Sequence, residues 1–169
     1  MGRLADYIYG HGTKAVKIAF SALRNAGKTV KRFWTAITDT VKKGDGFDGL
    51  VGRLRKAYQM SVSDAKRIAQ TETTRVENMA RYDAARQYEE ESGEKVYKTW
   101  ICTFQNSRPN HIKRHGTRIP LEEPFETPSG PMMRPGDSEY VDLDEIINCR
   151  CYLIYDAVGR DGKRHGTVV

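Results

Sequence analysis

The sequence predicts an α+β protein in which basic helices precede a further helix, a small antiparallel sheet and long ordered loops. Three observations lead to this fold class. Apolar residues recur every three or four positions as far as residue 92, and they alternate with polar residues in two later segments. All six prolines fall between those two segments. We therefore expect helices in the first half of the chain and the sheet in the second.

The first predicted helix covers residues 13–43, where apolar side chains form one face. The opposite face is basic and supplies the candidate DNA-binding residues, which are Lys14, Lys17, Arg24, Lys28, Lys31, Arg32, Lys42 and Lys43. The glycines in Gly44-Asp45-Gly46 are expected to end this helix.

Two more helices are predicted before the sheet. Residues 47–60 repeat the amphipathic pattern of the first helix. Ser61 or Ser63 is expected to cap a third helix, because Ser61 and Asp64 have the spacing of a capping box. The third helix should end near Ser92-Gly93.

The alternating segments, residues 96–104 and 146–155, are predicted to be strands that flank a loop region rich in proline. This organisation gives a basic helical arm at 1–60, a compact module at 61–155 and a flexible tail at 156–169.

Composition limits the class of protein. The 169 residues, 38% of them hydrophobic, suffice for one modest core, and no apolar run approaches the roughly 18 residues of a membrane helix. Three cysteines are an odd number, which favours reduced thiols or metal ligands over a disulfide framework.

The charge is divided unevenly along the chain. Residues 1–60 carry 12 basic and 4 acidic residues, a net +8, whereas the remainder carries 16 and 18, a net −2. A basic segment on a near-neutral body is typical of an arm that meets nucleic acid or a membrane surface. The alternative is an ordinary solvated helix face.

Thiol and imidazole side chains form the first candidate site. Cys102, His111, His115, Cys149 and Cys151 lie in loops and strands that could converge, and zinc accepts such ligands. A structural zinc ion held by Cys102, His111, Cys149 and Cys151 is the cofactor hypothesis. The alternative is that the cysteines pack as small apolar groups on the buried face of a strand.

Glu72 is the second candidate, because its spacing directs it toward the apolar face of its helix. A buried carboxylate needs a partner, and Arg75, Arg108 or Arg150 could provide a charge-assisted bond that locks helix to sheet. A catalytic role for Glu72, or a nuclease-like role for His111, is the alternative.

With these residues identified, the chain resembles the phage Mu F-like family of minor head, or head morphogenesis, proteins of tailed phages. The matching segments, in chain order, are Arg67-Ile68-Ala69-Gln70-Thr71-Glu72 with Asn78 and Ala80, Lys98-Thr99-Trp100-Ile101, Arg108-Pro109-Asn110-His111 with Gly116, Glu123-Pro124-Phe125, Pro135-Gly136-Asp137 and Asn148-Cys149-Arg150-Cys151. The family usually has an acid and another arginine shortly before the histidine, and residues 104–107 supply neither.

The resemblance implies a virion protein of low copy number and no known catalytic activity. It would lie inside the phage head near the portal, after assembly in the host cytoplasm, and aid head assembly or DNA retention and ejection. Its expected partners are the portal protein, packaged double-stranded DNA and a scaffold or major capsid protein. The residues assigned to the structural motif are Glu72, Arg108, His111, Asn148 and Arg150.

Three other functions remain open at this point. A packaged nuclease-like effector would use His111 with Glu72, and a zinc-stabilised DNA-binding protein would act outside any virion. The first helix could instead attach the chain to a membrane surface.

Overall fold

The computed structural model describes residues 35–37, 39–40, 42–105, 107–137, 139–159 and 161–167. They belong to two compact units, residues 1–70 and 71–169, and the boundary falls within one long helix. Most of the predicted first helix, residues 13–43, lies outside the described residues. Residues 35–37, 39–40 and 42–43 are helical, as that prediction requires.

The described elements are few and mostly short. In chain order they are α1 (Gly46–Tyr58), α2 (Val62–Ser92), β1 (Lys95–Ile101), α3 (Pro109–Lys113), β2 (Arg118–Pro120), β3 (Phe125–Thr127), β4 (Gly130–Met132), α4 (Leu143–Ile146), β5 (Tyr152–Val158) and β6 (Arg164–Thr167). Helices therefore precede a small antiparallel sheet with long connecting loops, and the predicted α+β class is confirmed.

The first unit is held together by small and branched apolar side chains. Its buried cluster consists of Ala36, Leu50, Val51, Leu54, Ala65 and Ala69. Gly44, with a φ of 66°, marks the predicted break, and the Asp45 amide donates to the carbonyl oxygen of Thr40 at 3.2 Å. The predicted second helix is present as α1, which ends where Gln59 takes the left-handed conformation.

The long helix α2 begins as the sequence predicts. The Ser61 hydroxyl accepts the backbone N–H of Asp64 at 3.0 Å, so Ser61 caps the helix. Its end at Ser92 is followed by Gly93, whose φ of 68° only glycine adopts readily.

The second unit contains a four-stranded antiparallel sheet in the order β2-β1-β5-β6. The central pair, β1 and β5, is in register along its length, with Trp100 opposite Leu153. β3 and β4 form a separate hairpin. Asn78 of α2 bonds to the backbone of Leu153, so this part of α2 packs on the central strands.

The second predicted strand was placed too early. The sequence predicts a strand at 146–155, but residues 143–146 form α4 and the strand begins at Tyr152. Asn148 has a φ of 58°, which interrupts an extended chain, and the cysteines that follow are buried at the approach to β5. Because apolar residues alternate on both sides of this bend, the sequence pattern does not reveal where the strand begins.

The predicted flexible tail at 156–169 also differs from the structure. β5 continues to Val158, and β6 pairs with it. The carboxylate of Asp156 accepts a hydrogen bond from Arg164, which ties β6 to the sheet, and two from Arg118 of β2. Every residue of β6 is exposed, so the strand has no alternation of apolar and polar residues from which it could be predicted.

Across the part of the chain that the structure describes, no helix is both long and apolar enough to cross a membrane.

Candidate metal centre

Two segments that are distant in sequence bring a histidine and two cysteines together. His111 lies on the single turn of α3, which follows the extended Arg108 and has Pro109 in its first turn. Cys149 and Cys151 lie between α4 and β5, after the left-handed Asn148. All three side chains are buried.

The donor atoms of these side chains face one another. Nδ1 of His111 lies 3.6 Å from Sγ of Cys149 and 3.6 Å from Sγ of Cys151. The three atoms lie within 4.8 Å of one another, and the group could hold a metal ion. The Trp100 and His111 rings pack edge to face, with ring centroids 5.4 Å apart.

The other imidazole nitrogen is held by a carboxylate. Oε2 of Glu145, on α4, lies 2.8 Å from Nε2 of His111. Oε1 of Glu145 accepts a hydrogen bond from the Asn110 side chain at 2.6 Å. Glu145 is itself buried, so the pair fixes both the ring orientation and the nitrogen that carries the proton.

Electrostatics favour charge separation at this centre. The hydrogen bond with Cys151 lowers the pKa of Cys149 to about 5, against the opposing effect of burial and with further help from His111. Burial lowers the pKa of His111, but hydrogen bonds and charges from Cys149 and Glu145 outweigh it and raise the pKa above its usual range. The bond with Cys149 and burial raise the pKa of Cys151.

Polar side chains of α2 fix the backbone that carries the cysteines. Thr71 Oγ1 accepts the Asn148 amide at 2.8 Å, and Thr74 Oγ1 donates to the Cys149 carbonyl oxygen at 2.7 Å. Asn78 donates to the Cys151 carbonyl oxygen at 3.1 Å and accepts the Leu153 amide at 3.2 Å. These bonds hold a segment that has irregular geometry and cannot satisfy its own backbone groups.

Of the four predicted zinc ligands, the structure brings together His111, Cys149 and Cys151. Cys102 is also buried, but it is not in the group of donor atoms within 4.8 Å. Its sulfur instead accepts the Phe104 amide at 3.5 Å. His115 is exposed, and its Nδ1 accepts the backbone N–H of Cys102.

Three of the residues predicted to have structural roles, Glu72, Arg108 and Arg150, do not share a common partner. Glu72 is buried and pairs at 3.1 Å with Arg75, so this ion pair lies within α2 and not between helix and sheet. Burial raises the pKa of Glu72, and Arg75 opposes that shift. Arg108 donates to the Ile147 carbonyl oxygen at 2.7 Å, while Nε of Arg150 is buried without a hydrogen-bond partner in the described structure.

Most of the candidate DNA-binding residues lie outside the described residues. These are Lys14, Lys17, Arg24, Lys28, Lys31 and Arg32. Lys42 and Lys43 are described, and both are exposed.

Sequence reasoning missed the roles of three residues that shape the second unit. Glu145 was not named, and Asn78 was named only as part of a segment that matches the family; both are buried. Lys98 is fully buried on β1, where its ammonium donates to the Met133 carbonyl oxygen at 2.8 Å. Lys98 lies on the same strand face as Val96 and Trp100, and this alternation could have predicted that it is buried.

Chemically, this arrangement can bind a soft or borderline metal, or hold a thiolate beside an imidazolium. His111 is 1% exposed, Cys149 3% and Cys151 1%. This burial gives a large substrate no direct access to the sulfur atoms, which favours a structural role.

Comparison with known proteins agrees with the sequence resemblance. Residues 31–154 match the family described as Phage Mu protein F like protein. The chain is 30% identical over 123 residues to "Minor head protein GP7" of Bacillus phage SPP1, an alignment that covers 71% of this chain. The alignment spans only 38% of that relative's length. No solved structure matches. Because the family match covers most of the sequence, the chain belongs to the phage Mu F-like family of head proteins.

Proposed function

We propose that this chain is a non-enzymatic minor component of a tailed-phage head that lies inside the head near the portal. There it contacts the portal protein and the packaged DNA and aids head assembly or DNA retention and ejection. The observation that carries the proposal is the family match over residues 31–154, together with a relative named as a minor head protein.

The charge distribution supports the DNA contact. Residues 1–60 have a net charge of +8, while the remainder has −2. Lysine and arginine side chains displace counterions from DNA without reading its sequence, which suits a protein that meets densely packed DNA of any sequence. The segment is therefore proposed to contact phosphate groups and the portal.

The folded second unit is proposed to have a structural role. Its His–Cys centre is buried, and its polar network joins α2 to the segment that carries the cysteines. A structural zinc ion is the only cofactor in this proposal. Scaffold or major capsid proteins are further proposed partners during assembly in the host cytoplasm.

Quantitative mass spectrometry of purified, nuclease-treated particles tests the proposal. The chain should be present at a copy number near or below that of the portal protein and far below that of the major capsid protein. Absence from intact particles would contradict a virion role and favour a cellular DNA-binding protein or an assembly factor that leaves the head.

The DNA contact has a separate test in the purified full chain. Replacing Lys42 and Lys43 by glutamate should weaken binding to duplex DNA and reduce the slope of log affinity against log salt by about 2. Lys66→Glu combined with Lys113→Glu makes the same charge change at exposed positions outside the basic segment. Equal losses from the two double variants would contradict a contact specific to the segment.

A further inference from the structure

The His–Cys group is arranged as a metal-binding site in the second unit. We propose that Nδ1 of His111 and the sulfurs of Cys149 and Cys151 bind a zinc ion, with a small non-protein ligand such as water in the fourth position. This proposal rests on the local geometry and does not depend on the phage function.

The distances agree with tetrahedral coordination. With Zn–S bonds of about 2.3 Å and a Zn–N bond of about 2.05 Å, a tetrahedral angle separates the nitrogen from each sulfur by about 3.6 Å. Nδ1 of His111 lies 3.6 Å from Sγ of Cys149 and 3.6 Å from Sγ of Cys151. Both nitrogen-to-sulfur distances are therefore those of a tetrahedral zinc site.

The surroundings of His111 support the same assignment. Histidine ligands of zinc commonly donate their second ring N–H to a carboxylate, which orients the ring and makes the ligand nitrogen more basic. Glu145 accepts this bond from Nε2 at 2.8 Å, and Asn110 fixes the carboxylate through its other oxygen. Nδ1 is thereby left as the nitrogen that faces the sulfurs.

Packing of the cysteines as small apolar groups explains less of this geometry than metal binding does. Two apolar thiols in a strand need no imidazole, whereas here one ring nitrogen is directed at both sulfurs. Two thiolates and an imidazole are soft to borderline donors, which favour zinc over calcium or magnesium. The set contains no carboxylate oxygen among its three donor atoms.

Bound zinc would close a long stretch of chain. Position 111 is 38 residues from Cys149 and 40 from Cys151, and the intervening loops contain only short strands and helical turns. Metal bonds between α3 and the approach to β5 would hold these loops in place, because binding energy at such a site contributes to folding. Removal of zinc should therefore lower the stability of the second unit.

Cys102 provides a matched control for the ligands. It is buried like Cys149 and Cys151 but lies outside the group of converging donor atoms. Cys102→Ser makes the same atomic change as Cys149→Ser and Cys151→Ser.

The first experiment measures metal content in the full chain purified without chelators. We expect about one zinc ion per wild-type chain, retained in Cys102→Ser and lost in Cys149→Ser, in Cys151→Ser and in His111→Ala. Cobalt substituted into the wild type should show thiolate-to-cobalt charge-transfer absorption and the visible spectrum of a tetrahedral site. Wild-type protein that binds neither zinc nor cobalt would overturn the proposal, as would equal metal loss from the Cys102 and Cys149 variants.

A variant that leaves all three ligands in place tests the zinc site even where the ligand variants fail to fold. Glu145→Gln has nearly the same shape but removes the carboxylate charge beside His111. We expect a 10- to 100-fold weaker zinc affinity in competition with a chelator, of the size typical for such outer partners. Unchanged affinity in a folded Glu145→Gln variant would overturn the proposed role of Glu145 in fixing the ligand histidine.

Discussion

The two units of this chain are built around different kinds of buried residue. In the described part of the first unit, the core is a cluster of alanine, leucine and valine side chains. The buried polar residue there is Thr40, whose hydroxyl donates a hydrogen bond to the Ala36 carbonyl oxygen. The second unit buries many polar and charged groups, which are Thr71, Glu72, Thr74, Asn78, Lys98, Thr99, His111, Glu145 and Asp156.

The difference shows what each kind of core can specify. Apolar contacts stabilise roughly in proportion to buried area and tolerate exchange between side chains of similar volume. Hydrogen bonds from buried side chains require one donor and one acceptor at fixed positions, and losing one partner leaves the other desolvated. The first unit should therefore tolerate conservative changes that the second does not.

The largest effect is expected at Asn78. Asn78→Leu leaves the Leu153 amide and the Cys151 carbonyl oxygen without their side-chain partner, so we expect a loss of about 4 kcal/mol in the free energy of unfolding. Urea denaturation followed by the fluorescence of buried Trp100, in a Trp34→Phe background, measures the change.

Two further variants interpret that result. Asn78→Asp keeps the shape but removes the amide donor, and it should also destabilise strongly. Gln87→Leu introduces leucine at an exposed position of the same helix and should change stability by less than about 0.5 kcal/mol. A tolerated Asn78→Asp would show that the hydrogen bonds contribute little.

Leu54 gives the corresponding test in the first unit. It is 1% exposed, and truncation to alanine should cost about 3 kcal/mol through lost burial and the resulting cavity. Leu54→Met should cost less than about 1.5 kcal/mol, because methionine has a similar volume. Helical circular dichroism during denaturation measures both. A Leu54→Met variant as unstable as Leu54→Ala would contradict a core that depends on volume alone.

The buried Lys98 of the second unit should make the stability of the protein depend on pH. Its ammonium lies between the rings of Tyr82 and Phe125, with the nitrogen 5.2 Å and 5.3 Å from their centroids, and burial lowers its pKa to about 7. Because the unfolded lysine keeps its proton to about pH 10.4, the unfolded state binds more protons between pH 7 and 10. This residue's contribution to stability should therefore rise with pH in that window, by up to about 1.4 kcal/mol per unit.

Lys98→Met provides the comparison, since methionine fills the site without a titrating group. Stability curves measured from pH 6 to pH 10 should show a steeper rise for the wild type than for Lys98→Met. Parallel curves would mean that Lys98 keeps the same protonation state in the folded and unfolded protein.

The smallest effect is expected at the start of α2. Ser61→Ala removes the hydroxyl that caps the Asp64 amide and should cost about 1 kcal/mol. Ser61→Asp should restore most of that loss, because aspartate caps equally well. Thermal unfolding of the two variants against the wild type measures the difference, and equal melting temperatures for Ser61→Ala and wild type would show that the cap contributes nothing.

The regular parts of the fold could be predicted from periodicity and capping residues. Ser61 and Asp64 located the start of α2, Gly93 its end, and alternation after Gly93 identified β1. The cysteines and His111 were recognised as a candidate site because their residue types are rare and chemically specific. The structure places the buried Glu72 beside Arg75 of the same helix, whereas the sequence analysis expected a bond between helix and sheet.

Other features depend on tertiary contacts that leave little local trace. Glu145 reaches His111 across 34 residues, and Asn78 reaches Cys151 across 73. The start of β5 depends on the left-handed Asn148, and β6 depends on arginine bonds to Asp156. None of these contacts produces an apolar period in the sequence, so hydrophobic pattern could not reveal them.

Cross-linking mass spectrometry of intact, purified particles tests the central functional proposal most directly. A lysine-reactive cross-linker should join residues of the basic segment, including Lys42 and Lys43, to the portal protein. Cross-links from this segment to the portal in DNA-filled particles are the result that the proposed location predicts. Particles that contain the chain but yield cross-links only to the major capsid shell would contradict a position beside the portal.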